Sequence, residues 1–197
     1  MRNDPEFCFS VGLNDIPWNR LMDWYGRATD FPNYFQELLS DYFDQQRKAI
    51  ATIANRIEHQ DGIIMVTPFA LVFLMRLLPF EKADKISILE TILAVAKAAD
   101  YQFEYYEGNQ TEHKVESIQQ LLAEENILPK FESEYQDEII WEKWFGPIYD
   151  KLHYCWLSAV FIVLQCFHPA LANISDEAEA EIANKILAIA TPNYLRS

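Results

Sequence analysis

The sequence predicts an all-α chain built from antiparallel helix pairs. Of its 197 residues 50% are hydrophobic, enough for one sizeable core, and only 5 are glycine, too few for a sheet protein that must turn often. Ala, Leu, Ile, Gln and Glu recur at three- and four-residue spacing, the period of an amphipathic helix. About eight or nine helices are expected, in a single domain over residues 1–197.

Taken in order, residues 1–13 read as an irregular arm whose Phe7 and Phe9 tuck onto the first helix. Asn14 or Asp15 can cap that helix, Pro17 occupies its first turn where no intrahelical donor is lost, and Trp18, Leu21, Met22 and Tyr25 follow at helical spacing. Gly26 is expected to end it. Asp30 caps a short second helix over Phe31–Leu39, with Pro32 again in the first turn. Ser40 and Asp41 turn the chain into a third helix carrying Ile50, Ile53, Ala54 and Ile57, which His59-Gln60-Asp61-Gly62 stops. Thr67 and Pro68 open a fourth helix, apolar nearly all round and therefore central, and Pro79 closes it. Further helices are expected over Ala83–Phe103, Thr111–Asn126, Glu132–Phe145, Pro147–Phe167 and Ser175–Ala190, with breaks at Gly108, Pro129, Gly146 and Pro169. Successive pairs then recur at roughly forty residues, the period of a two-helix solenoid unit.

The stretch from Asp41 to Ala49, DYFDQQRKA, follows a short helix ending in Leu38-Leu39 and places Arg47 six residues after the turn aspartate Asp41. It resembles a HEAT repeat, and the resemblance implies an α-α superhelix of HEAT or armadillo type in which Asp41 and Arg47 help to link neighbouring units. Ile16-Pro17-Trp18, Leu21, Tyr25-Gly26, Ala28, Asp30 and Pro32, followed by His59-Gln60, Thr67, Ala70, Phe73-Leu74 and Leu77-Leu78, are similar to a group of bacterial HEAT-like proteins of unassigned function. The chain departs from that pattern at Asp61, where the group has glycine, and at Ile64 and Val72. The likeness is clearest over residues 15–80; beyond Ala99 only the helical rhythm matches.

The N-terminus carries Asp4, Pro5 and Glu6 where a secretory signal would place a basic and then an apolar stretch, so a cytoplasmic protein is expected. The longest apolar run, Tyr154–Phe167, is 14 residues, short of the roughly 20 that cross a bilayer. It reads as a core helix, and no membrane partner is expected. On one helix Cys155 and Cys166 would lie about 16 Å apart, beyond disulfide reach, and with Cys8 they read as small core residues in a reducing compartment.

Charge is the sharpest functional signal. Residues 100–150 hold 13 acidic and 3 basic side chains, most of the formal −14 of the chain, interleaved with Tyr101, Phe103, Tyr105, Tyr106, Tyr135, Trp141, Trp144 and Tyr149. Glu134, Glu138 and Glu142 stand four apart, so on a helix they share one edge and repel by roughly 0.3 kcal/mol per pair. Tolerated repulsion of this kind suits a basic protein partner, although a solvated face with inward aromatics has the same pattern. The surface for such a partner is assigned to Glu134, Glu138, Trp141 and Glu142. Trp18, Tyr25, Arg27 and His59 are added as a polar and aromatic patch where helix ends converge. Nucleic acid is not expected, since the nearest basic cluster is the pair Arg47-Lys48.

No nucleophile elbow, phosphate loop, dinucleotide fingerprint, zinc-protease motif or paired C-x-x-C occurs, and no catalytic residue or cofactor is assigned. The residual candidate for chemistry joins His113-x-x-Glu116 with Asp150-x-x-His153, each putting two possible metal ligands on one helix face; a di-iron bundle needs two further carboxylates. Two readings follow. The first is a non-enzymatic α-solenoid that holds a basic protein, with neutralisation of a toxin as one specific form. The alternative is a metal-dependent helical enzyme using His113, Glu116, Asp150 and His153.

Overall fold

The structure is a computed structural model that describes residues 4–106, 117–140, 142 and 149–190. It is mostly helical with little strand, as the composition requires. The first departure from the sequence pattern comes at once. The stretch expected to be an irregular arm contains a helix, α1 (Asp4–Ser10), with Pro5 in its first turn and Phe7 and Cys8 buried. It packs not on the segment that follows it but on the distant helix α7 (Tyr149–Cys166), where the Phe9 and Phe167 rings meet at 4.8 Å.

The helical spacing of Trp18, Leu21, Met22 and Tyr25 does not produce a helix. Short 3-10 turns at Leu13–Asp15 and Trp18–Arg20 lead instead into a hairpin, β1 (Met22–Asp23) with β2 (Gly26–Arg27), in which Met22 faces Arg27. Two local effects defeat the helix. The Asp23 carboxylate accepts the Tyr25 N–H at 2.7 Å, offering the backbone a turn, and Gly26 adopts φ 139°, a conformation that side chains rarely take.

From here to residue 106 the helices follow the sequence. Helix α2 (Phe31–Glu37) packs against α3 (Phe43–Ile57), whose Ile50, Ile53 and Ile57 form the buried stripe. The stop at His59-Gln60-Asp61-Gly62 is a second hairpin, β3 (Glu58–His59) with β4 (Gly62–Ile63). Its two turn residues, Gln60 and Asp61, have φ 53° and 60°, the left-handed pair of a tight hairpin turn. Thr67 then ties this hairpin to α4 (Thr67–Leu77), its hydroxyl donating to Ile57 O at 2.6 Å and accepting from Ile64 N–H at 3.0 Å.

Helix α4 is buried on nearly every side, and the long α5 (Lys85–Tyr106) packs against α3, α4, α7 and α9 (Glu177–Ile189). Of the helix expected over Thr111–Asn126, residues 111–116 lie outside the described residues, and the rest makes 3-10 turns at Ile118–Leu122 and Glu124–Asn126. Helix α6 (Glu134–Ile140) covers part of the next expected element. The chain closes with α7, the short α8 (His168–Ala172) and α9, which Asp176 caps through the N–H groups of Ala178 and Glu179. Pro169, expected as a break, sits in the first turn of α8. Contacts of α7 with α1 and α4 join the two ends of the chain into one core.

Asp41 and Arg47 do not pair. Asp41 bonds Lys82, and Arg47 lies over the Phe43 ring of its own helix at 5.7 Å. Gln46 reaches the same loop as Asp41, its amide donating to Ser40 O at 2.6 Å and Lys82 O at 2.8 Å.

Candidate functional site

The two hairpins lie side by side and define the first surface of interest. Trp24 N–H donates to Arg56 O at 3.3 Å, Val66 N–H to Met22 O at 3.1 Å, and the Trp24 ring covers Gly62. A Cβ on Gly62 would stand 3.0 Å from both the Trp24 ring and the His59 carbonyl, so a side chain here requires its neighbours to give by a few tenths of an ångström. Beneath the first hairpin Asp23 is buried, 1% exposed, and Arg56 donates to its carboxylate at 2.6 Å. Burial raises the Asp23 carboxyl above the ordinary aspartate value, with the Tyr25 N–H and the Arg56 guanidinium opposing. The same guanidinium lies over the Tyr25 ring at 5.6 Å and the Tyr34 ring at 5.9 Å. An open recess of about 400 Å³ runs along this edge, lined by Tyr25, Lys48, Ala51, Thr52, Asn55 and Arg56.

A second set of charges fastens the acidic part of the chain to these hairpins. Arg27 grips Asp137 through both arms of its fork, Nε–Oδ2 at 2.6 Å and Nη2–Oδ1 at 2.5 Å. The two side chains are only 7% and 14% exposed. The remaining Arg27 nitrogen donates to Asn19 O at 2.5 Å and Pro129 O at 2.9 Å, and the guanidinium covers the Phe131 ring at 5.3 Å. Arg20 repeats the device further out. Its Nε donates to Leu128 O at 2.6 Å, its two terminal nitrogens take the Glu124 carboxylate at 2.7 and 2.6 Å, and Leu128 N–H returns to Arg20 O at 2.9 Å. The Arg20 fork holds the exposed Glu124 carboxyl below the ordinary glutamate range. Segment 124–137 is thus laid against residues 19–27 by two arginines and a backbone pair.

The residues assigned to a partner surface divide three ways. Trp18 is enclosed, its ring stacked on Phe31 at 5.5 Å and its Nε1 donating to Leu13 O at 2.7 Å. With Arg27 it belongs to the interior, because its aromatic area and the arginine fork are both taken up by the chain itself. Tyr25, 57% exposed, and His59 meet at the hairpin tips with ring centroids 6.4 Å apart. Glu134, Glu138 and Glu142 are exposed, with Tyr135, at 73%, between the first two. Trp141 lies outside the described residues. The seven described residues of the eight therefore form no single patch.

Of the metal candidates, His113, Glu116 and the Asp150 side chain lie outside what is described, and His153 is buried in α7 with its ring tilted 6.0 Å from Trp156. Among the described residues no three His, Cys, Asp or Glu side chains stand close enough to hold a metal ion. Among the same residues no helix is long and apolar enough to cross a membrane.

Sequence patterns give no hint of Asp23 and Arg56 as a pair. The one usable sign is an aspartate inside the otherwise apolar stretch Leu21–Tyr25, which must find a cation or an N–H once buried. No protein-family model, curated protein or solved structure matches the chain.

Proposed function

We propose that the protein is a non-enzymatic helical scaffold that holds a basic protein partner on the outer edge of α6. The observation that carries this reading is the division of labour on that short helix. Asp137 turns inward to Arg27, while Glu134, Tyr135, Glu138 and the neighbouring Glu142 stay in solvent. An exposed aromatic flanked by carboxylates offers apolar area and charge together, the combination that recognises a lysine- or arginine-rich surface. Because the inner carboxylate already fixes the helix, the outer ones meet a partner from a preorganised position. Neutralising a basic toxin is one specific form of this activity.

We also propose that the helices form a HEAT-like solenoid. Consecutive packing of α2 on α3, α3 on α4, α4 on α5 and α8 on α9 supports this arrangement, while the extensive contacts of α5 with α7 and α9, and of α7 with α1 and α4, fold it back on itself.

The test is affinity capture from the native cell lysate with the wild-type chain and a Glu134→Lys/Glu138→Lys variant, at low and high salt. The reading expects a basic protein retained by the wild type in low salt, released in high salt and not bound by the variant. Retention indifferent to both salt and charge reversal contradicts it.

A further inference from the structure

The packing of α1 on α7 brings together two cysteines from opposite ends of the sequence. Cys8 sits on the inner face of α1 and is fully buried; Cys166 is the last residue of α7 and half-buried against the same core. Their chain neighbours are also in contact, Phe9 on Phe167 at 4.8 Å, so the two backbones run close at this point. The two thiols lie near enough for each to shift the other's ionisation. Cys155, a helical stretch away on α7, takes no part in it.

We propose that Cys8 and Cys166 form a peroxide-sensitive dithiol, which hydrogen peroxide converts into an intramolecular disulfide that fastens α1 to α7. The more exposed sulfur is the nucleophile. The neighbouring Cys8 holds the Cys166 thiol below its ordinary value, while Cys166, with burial, pushes Cys8 up, so Cys166 ionises first. The Cys166 thiolate attacks one peroxide oxygen; an S–O bond forms, the O–O bond breaks, and hydroxide leaves to take a proton as water. Cys166 is now a sulfenic acid. Cys8 then attacks that sulfur, its S–S bond replacing the S–O bond, and the departing hydroxide takes the Cys8 proton as a second water. Two thiols and one hydrogen peroxide give one disulfide and two waters. A thiol reductant reverses the step by exchange.

The experiment treats the reduced full-length chain with equimolar hydrogen peroxide, blocks remaining thiols with an alkylating reagent and maps the peptides by mass spectrometry without reduction. The expected result is one linked peptide pair joining Cys8 to Cys166, with Cys155 alkylated, a monomer on a non-reducing gel, and a thermal midpoint above that of the reduced protein. In the Cys8→Ser variant Cys166 should stop at the sulfenic acid and be trapped by a dimedone probe. The wild-type peptide map decides the matter even if that variant does not fold. Three outcomes overturn the proposal: all three cysteines still alkylated, Cys166 carried to the sulfinic acid with Cys8 free, or disulfides only between separate chains.

Discussion

Residues 16–80 and residues 124–142 are held in place in different ways. In the first region the Trp18 ring is enclosed and Asp23 is buried against Arg56. In the second, Phe131 and Tyr135 are more than half exposed, and Glu134, Glu138 and Glu142 face water. Among its described residues the second region reaches the common core through Ile127 and Leu128, with Ile140 packed against it. It is held by carboxylates that it supplies to arginines of the first, at Arg27–Asp137 and Arg20–Glu124. The lesson is that an acidic stretch need not be uniform: one carboxylate can be a structural anchor while its neighbours on the same helix remain free.

The largest effect that would break this comparison is expected from Arg27→Ala. It leaves Asp137 and two backbone carbonyls without donors, and urea unfolding should show a loss of roughly 3–5 kcal/mol. Lysine at the same position keeps the charge but not the fork, and should recover only part of the loss. Next is Gly62→Ala in the first region, whose methyl would stand 3.0 Å from the Trp24 ring and the His59 carbonyl and press on both. Denaturation should register roughly 1–3 kcal/mol, with a change in Trp fluorescence as the indole shifts. Smaller and of opposite sign is Gln60→Asn with Asp61→Gly, which suits the left-handed turn and should stabilise by about 1 kcal/mol.

The smallest effect is electrostatic and separates the two regions by its sign with pH. Arg20 depresses the folded-state carboxyl of Glu124, so its contribution is present above the ordinary glutamate range and disappears as pH falls through the depressed value. Burial raises Asp23, so the stability it contributes is greatest below the ordinary aspartate range and is lost as pH rises through the raised value. Carboxyl titration by NMR should find Asp23 above and Glu124 below their ordinary values. Stability curves of Glu124→Gln and Asp23→Asn should diverge from wild type in opposite directions across the acidic window.

Much of the helical frame was legible because its signals are local. The stripe Ile50, Ile53, Ile57, the apolar run after Pro68 and the Asp176 cap each lie within a few residues of what they determine. The hairpin at residues 22–27 was not, because Leu21, Met22 and Tyr25 satisfy helical spacing while an Asp23 turn and a positive φ at Gly26 overrule it. Helix α1 was readable in principle from Pro5 between two acidic residues, the first-turn signature that holds at Pro32 and fails at Pro17. At the candidate site, the exposure of Glu134 and Glu138 follows from their spacing. The grip of Arg27 on a carboxylate 110 residues away does not, since nothing local in either segment selects the other.

The most direct measurement is urea unfolding of Asp137→Ala beside Glu138→Ala, adjacent acidic residues on one helix. The account predicts that losing the inner carboxylate costs about 3 kcal/mol, while losing the outer one changes stability by no more than about 0.5 kcal/mol. Equal losses at the two positions would contradict it.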